Sequence, residues 1–158
     1  MKFLDEVYKK NKVLDDIFIK LFEDKDMFKK NKLELLVEIG ELANETKCFK
    51  YWSNKTPNKD LVLEEYADCI IMTLYLHNYY NLELEDIEYN RITDINDQFA
   101  YLYKLSTDLY FNDNKETIRE ILFNLLNLAT LLNISKDEII ESTLMKINKE
   151  TTRLLGDN

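Results

Sequence analysis

The chain has 158 residues, 46% of them hydrophobic, which is enough to bury a core and excludes wholesale disorder. With two glycines and one proline it lacks the turn-formers an all-β fold needs. A net charge of −9 repels a nucleic-acid backbone, so any phosphate ligand requires a cation between itself and the protein.

Apolar residues recur at helical spacing, and six segments follow in chain order. The first covers about residues 2–23, with Val7, Leu14, Ile17, Phe18 and Leu21 on one stripe and Lys and Asp on the opposite face. The second, about 28–46, carries Leu33, Leu35, Leu36, Ile39, Leu42 and Ala43. Residues 53–58, Ser-Asn-Lys-Thr-Pro-Asn, are the strongest breaker. The third helix, about 60–80, is the most apolar and is expected in the middle of a bundle. An acidic connection through Glu83 to Asp86 leads to a fourth helix from about Ile95 to Tyr110 and a fifth from about Lys115 to Leu132. Ser135 with Glu138 reads as a capping box opening the sixth, which runs to about Arg153 with Gly156 just past its end. The expected fold is all-α: a single-domain bundle of about six helices spanning 1–158.

Cys48 and Cys69, both placed within helices, read as buried free thiols of a reducing compartment. The N-terminus has no apolar signal core and no run is long enough to span a bilayer. A cytoplasmic protein without membrane contact is expected.

Two acidic pairs at i, i+3 spacing stand out: Glu38 with Glu41, and Glu65 with Asp68. Residues three apart share a helix face with Cβ atoms roughly 5–6 Å apart, so each pair can hold one cation. If the two helices pack together, four carboxylates converge; their mutual repulsion is relieved by a hard divalent cation, Mg²⁺ above all. Glu45, four residues after Glu41, is a further ligand or a base. The alternative is two solvated faces. Against it stand the interleaved Leu35, Leu36, Ile39 and Leu42, and the small Gly40, Ala43 and Ala67, which permit close helix approach.

The order Glu-x-x-Glu then Glu-x-x-Asp resembles the signature of the all-α nucleotide pyrophosphohydrolases, which include MazG-like enzymes and the dimeric dUTPases. The run from Leu36 to Ser53, with Glu38, Glu41, Asn44, Glu45, Phe49, Lys50 and Trp52, closely resembles the first dimeric dUTPase motif, and Leu63 to Asp68 resembles the second. The resemblance implies a dUTP diphosphatase that converts dUTP, and dUDP as well, to dUMP with release of pyrophosphate or phosphate. It implies two or more Mg²⁺ ions on Glu38, Glu41, Glu65 and Asp68, with Mn²⁺ as a substitute. Glu38, Glu41 or Glu45 would serve as the base. It also implies a homodimer, and in some relatives a regulatory protein partner. The same metal chemistry on other nucleoside triphosphates, or a helical regulator-binding protein with weak hydrolysis, are the competing readings.

For the nucleotide, the resemblance points to Asn11, standing where relatives carry Gln before a Leu-Asp pair, and to Asn44. Phe49 and Trp52 either stack on the base or cap the core. Lys50 and Lys55 either meet phosphate or are ordinary surface lysines. Lys146 and Arg153 match a C-terminal basic pattern, whereas Thr143, Ile147 and Glu150 depart from it. Ile71 and Met72 stand where His-Phe is common. His77 reads as a surface or helix-end residue. The ten tyrosines read as packing or interface groups.

Overall fold

The computed structural model describes residues 1–156. A short 3₁₀ turn (Lys2–Leu4) leads into α1 (Asp5–Phe22), followed by α2 (Met27–Thr46), α3 (Lys59–Tyr79), α4 (Ile95–Phe111), α5 (Lys115–Leu131) and α6 (Lys136–Leu155). No strand occurs among the described residues, and the six helices form one bundle, as the apolar spacing predicts. No described helix is long and apolar enough to cross a membrane.

Helix starts are set locally. Asn58, Asp94, Asn114 and Ser135 each cap a helix by accepting from backbone N–H groups, and Ser135 with Glu138 forms the expected reciprocal box. Gly156 follows α6 at φ 76°. α1 and α2 instead end on Glu23 and Lys47 in left-handed conformations, which cost a side-chain-bearing residue something that glycine would not.

α3 packs against α1, α2, α5 and α6, which explains why it is apolar around its whole circumference. Tyr66, fully buried on α3, donates its hydroxyl to the Leu125 carbonyl of α5 at 2.7 Å. α2 lies between α3 and α4. Gly40 makes that position possible: a Cβ there would stand 2.5 Å from the Tyr103 hydroxyl of α4. The buried Lys32 ties α2 to the end of α4, pairing with Asp113 at 2.6 Å and donating to the Tyr110 carbonyl at 3.2 Å.

Several side chains depart from the sequence reading. Leu21 and Leu33 are more than half exposed rather than part of the core. Asp15, read as part of the polar face of α1, is only 4% exposed because α3 and α6 close over it. Cys48 lies in the turn just past α2, although both cysteines are free as expected. His77 is not a surface residue. The last turn of α3 is still enclosed by neighbouring helices, and His77 donates from Nδ1 to the Thr73 carbonyl at 2.9 Å. Burial holds its pKa down to about 4, so it is neutral.

Candidate metal centre and adjoining pocket

The α2–α3 contact brings both acidic pairs together. Glu38, Glu65 and Asp68 each present a ligand atom, and these atoms lie within 4.8 Å of one another. One carboxylate oxygen of Glu38 (Oε2) and one of Glu65 (Oε2) are buried without any partner. Glu41, on the exposed rim, is close enough to raise the proton affinity of both. Glu64 turns the other way, toward Lys146 and Lys149, so the pair with Asp68 is made by Glu65.

The electrostatics follow from this crowding. Burial, then the charges of Asp68 and Glu41, push Glu38 up to about 8. Burial, Glu41 and Asp68 push Glu65 up to about 7. Burial raises Asp68 as well, although Lys146 opposes the shift through an ion pair at 3.2 Å. Glu34, one turn before Glu38, is raised first by burial and then by Asp68. Without a cation, Glu38 and Glu65 are therefore held partly protonated near neutrality. A set of hard oxygen donors with orphaned lone pairs and raised pKa values fits a divalent ion.

A cavity of about 300 Å³ opens beside the cluster. Its lining combines the charged Glu34, Glu38, Asp68, Lys146, Glu150 and Arg153 with Leu14, Phe18, Ile71, Met72 and Tyr75, and Asp15 and Asn31 complete it. Arg153 pairs with Glu150 at 2.6 Å. Charged and apolar side chains thus share one cavity, a mixture suited to a ligand with both kinds of surface.

The donor set fits a divalent cation, and a family comparison makes the assignment: the family model described as dUTPase matches residues 3–156. The chain belongs to the all-α dUTPase family. It is a nucleoside triphosphate pyrophosphohydrolase, and dUTP hydrolysis is the activity of its family. No curated protein sequence matches it.

Within this dUTPase the other sequence-predicted residues are distributed as follows. Glu45, half-buried, lies one turn beyond Glu41. Asn44 is exposed on the same turn. Phe49 and Trp52 are exposed in the α2–α3 connection and meet edge-to-face at 6.1 Å, so neither caps the core. Lys50 sits over the Phe49 ring, and Lys55 is exposed farther along the loop. None of these six lines the cavity. Asn11 is fully buried behind it, donating to Asp15 at 3.4 Å and to the Ile71 carbonyl at 3.3 Å.

Sequence reasoning did not single out Asn31, Glu34 or Tyr75, and Asp15 entered it only as the aspartate of the Leu14-Asp15 pair that follows Asn11. A further signal was available for Asp15. Tyr8, Asn11 and Asp15 follow i, i+3, i+7 spacing, so a carboxylate shares a face with a tyrosine and an amide that also bury.

Proposed function

We propose that the protein is a Mg²⁺-dependent dUTP diphosphatase that converts dUTP to dUMP and pyrophosphate and accepts dUDP with release of phosphate. The observation that carries this reading is the pair of orphaned carboxylate oxygens on Glu38 and Glu65, with Glu38 lining a pocket that mixes charged and apolar side chains. Glu38, Glu65 and Asp68 would hold the ions, with Glu41 completing the set, and Mn²⁺ would substitute. A divalent cation there supplies counter-charge and Lewis-acid polarisation to the phosphoryl group.

The chain's own groups do the rest. Glu41, which is exposed, or the half-buried Glu45 one turn on accepts the proton of the attacking water. Lys146, bonded to Asp68 and Glu64 in the ligand-free protein, and Arg153, bonded to Glu150, are the cations that line the pocket and turn to the phosphates. Phe49, Lys50, Trp52 and Lys55, in the α2–α3 connection, would supply aromatic and basic contacts to the nucleotide. Asn44 flanks the metal helix, and Asn11 braces the base end from behind.

A cytoplasmic homodimer is the proposed assembly. Its support is the exposed Val13, Ile19, Leu21 and Phe22 on α1, side chains that a partner subunit would cover.

The test is pyrophosphate release from dUTP and the four common deoxynucleoside triphosphates, with and without Mg²⁺. Metal-dependent turnover with dUTP foremost is expected. A purine triphosphate exceeding dUTP in kcat/KM would contradict the base assignment, and turnover undiminished by chelation would contradict the metal.

A further inference from the structure

Lys146 is a partition between two cavities. It lines the pocket beside the carboxylate cluster, and it also lines a second cavity of about 560 Å³ between α3 and α6, where Glu64 and Lys149 stand. Its side chain is only 15% exposed. The ammonium lies between two carboxylates, 3.2 Å from Asp68 and 3.5 Å from Glu64. Both distances exceed the ~2.7–2.9 Å of a settled ammonium–carboxylate bond, so the charge is shared between the two rather than committed to one. Lys149, on the exposed side of α6, reaches the same Glu64 oxygen at 3.4 Å.

This arrangement holds a conflict. Asp68 belongs to the ligand set that fits a divalent cation, yet one of its oxygens already has a cation beside it. Glu38 and Glu65, by contrast, each keep an unpartnered buried oxygen. A divalent ion on Asp68 and an ammonium against the same carboxylate are like charges a few ångströms apart, and a half-buried site screens them poorly. The lysine therefore has to leave Asp68 when the ion arrives. An enclosed ammonium without a partner is costly, so a second anion must be within its reach. Glu64, one turn before Asp68 on α3 and turned toward α6, is that anion. Lys149 is exposed and can release the Glu64 oxygen to water at little cost.

We propose that Lys146 is an internal counter-ion that competes with the divalent cation for Asp68, and that Glu64 is the positioning residue that draws it away. The inference rests on the reading of the α2–α3 carboxylates as a divalent-cation site. Cation binding then passes Lys146 from Asp68 to Glu64, still charged and still at the wall of the pocket. Glu64 raises the affinity for the cation without touching it, and Lys146 lowers it.

The experiment titrates Mn²⁺ into the nucleotide-free wild type, Glu64→Gln, Lys146→Met, the double variant and Lys149→Met. Lys146→Met should bind Mn²⁺ about tenfold more tightly than the wild type, the scale on which a neighbouring charge alters the affinity of a carboxylate for a proton. Glu64→Gln should bind about fivefold more weakly, the low end of the range for coupled sites. In the Lys146→Met background the same glutamate change should alter the affinity by less than about twofold, because no lysine is left to draw away. Lys149→Met removes an equal charge that does not touch Asp68, and it too should stay within about twofold of the wild type.

Unchanged affinity in Lys146→Met overturns the competition. An equal tightening in Lys149→Met overturns it as well, since net charge alone would then explain both. A loss from Glu64→Gln that is the same in both backgrounds overturns the transfer to Glu64. If Lys146→Met does not fold, Lys146→Gln takes its place in the same comparisons. Failure of the wild type to bind Mn²⁺ at all would instead defeat the cation-site reading on which the proposal stands.

Discussion

Two polar clusters lie inside this bundle, and they differ in what they leave undone. Between α4 and α5, Gln98 donates to Asn124 at 3.0 Å, Asn127 donates to Gln98 at 2.5 Å and to the Ile92 carbonyl at 2.8 Å, and Asn124 donates to the Glu120 carbonyl at 2.8 Å. None of those three side chains has an unpartnered buried atom. Between α2 and α3, Glu38 and Glu65 each have one, and their acids are held partly protonated by burial and by the neighbouring Asp68 and Glu41. The first cluster is complete and its work is packing. The second is satisfied only by something the chain does not contain, which is why it reads as a site. The Asn11 amide oxygen, the Arg119 Nε and the hydroxyls of Ser106 and Thr143 are also unpartnered, but none of them stands among crowded like charges as the two carboxylates do.

The contrast is broken most forcefully by exchanging what each cluster loses on mutation. Glu38→Gln or Glu65→Gln should lower dUTP turnover by about 10³-fold, the scale of lost transition-state electrostatics, without lowering the melting temperature of the metal-free protein. Asn124→Ala should do the reverse. It strands the Gln98 amide and should cost about 1–3 kcal/mol in denaturant unfolding, while activity per folded molecule is retained. A destabilised glutamate variant, or an inactive but folded Asn124→Ala, would remove the distinction.

A second effect, of several degrees in melting temperature, concerns the cation. Raised folded-state pKa values mean that ionising Glu38 and Glu65 costs stability increasingly as pH rises from about 4.5 toward about 8 in the metal-free protein. Mg²⁺ competes with those protons, so the melting-temperature gain it confers should grow over the same window. A gain that is constant with pH would mean the ion binds elsewhere.

His77 titrates with the opposite sign. Its folded pKa of about 4 lies below the ordinary 6.5, so its contribution is present above 6.5 and is lost as pH falls through 4. The loss is on the order of 3 kcal/mol. Denaturant midpoints measured between these pH values should decline in the wild type and flatten in His77→Leu.

These effects also mark how much was legible in the sequence. The helices were, because apolar periodicity and the Ser135–Glu138 box are local signals. The α2–α3 carboxylates were, because i, i+3 spacing fixes a shared face whatever the partner helix. Burial of His77 and Asp15 was not, since each depends on which helices close over that face. Exposure of Leu21 and Leu33 escaped the reading for the same reason: an apolar stripe does not say where its partner ends.

The smallest effect sharpens the account of how α2 is positioned. Gly40→Ala places a Cβ against the Tyr103 hydroxyl, so it should be destabilising alone. In a Tyr103→Phe background the clash is gone, and the same change should become stabilising by about 0.5–1 kcal/mol through helix propensity. Equal effects in both backgrounds would show that Tyr103 does not set the α2–α4 distance.

The central claim is that the unsatisfied carboxylates of α2 and α3 form a divalent-cation site. Mn²⁺ binding to the nucleotide-free protein, followed by electron paramagnetic resonance, tests it most directly. The wild type should bind Mn²⁺, Mg²⁺ should displace it, and Glu65→Gln should weaken binding by at least about tenfold, since a neutral amide replaces a charged ligand. Mn²⁺ binding of equal strength in Glu65→Gln and the wild type would contradict the account.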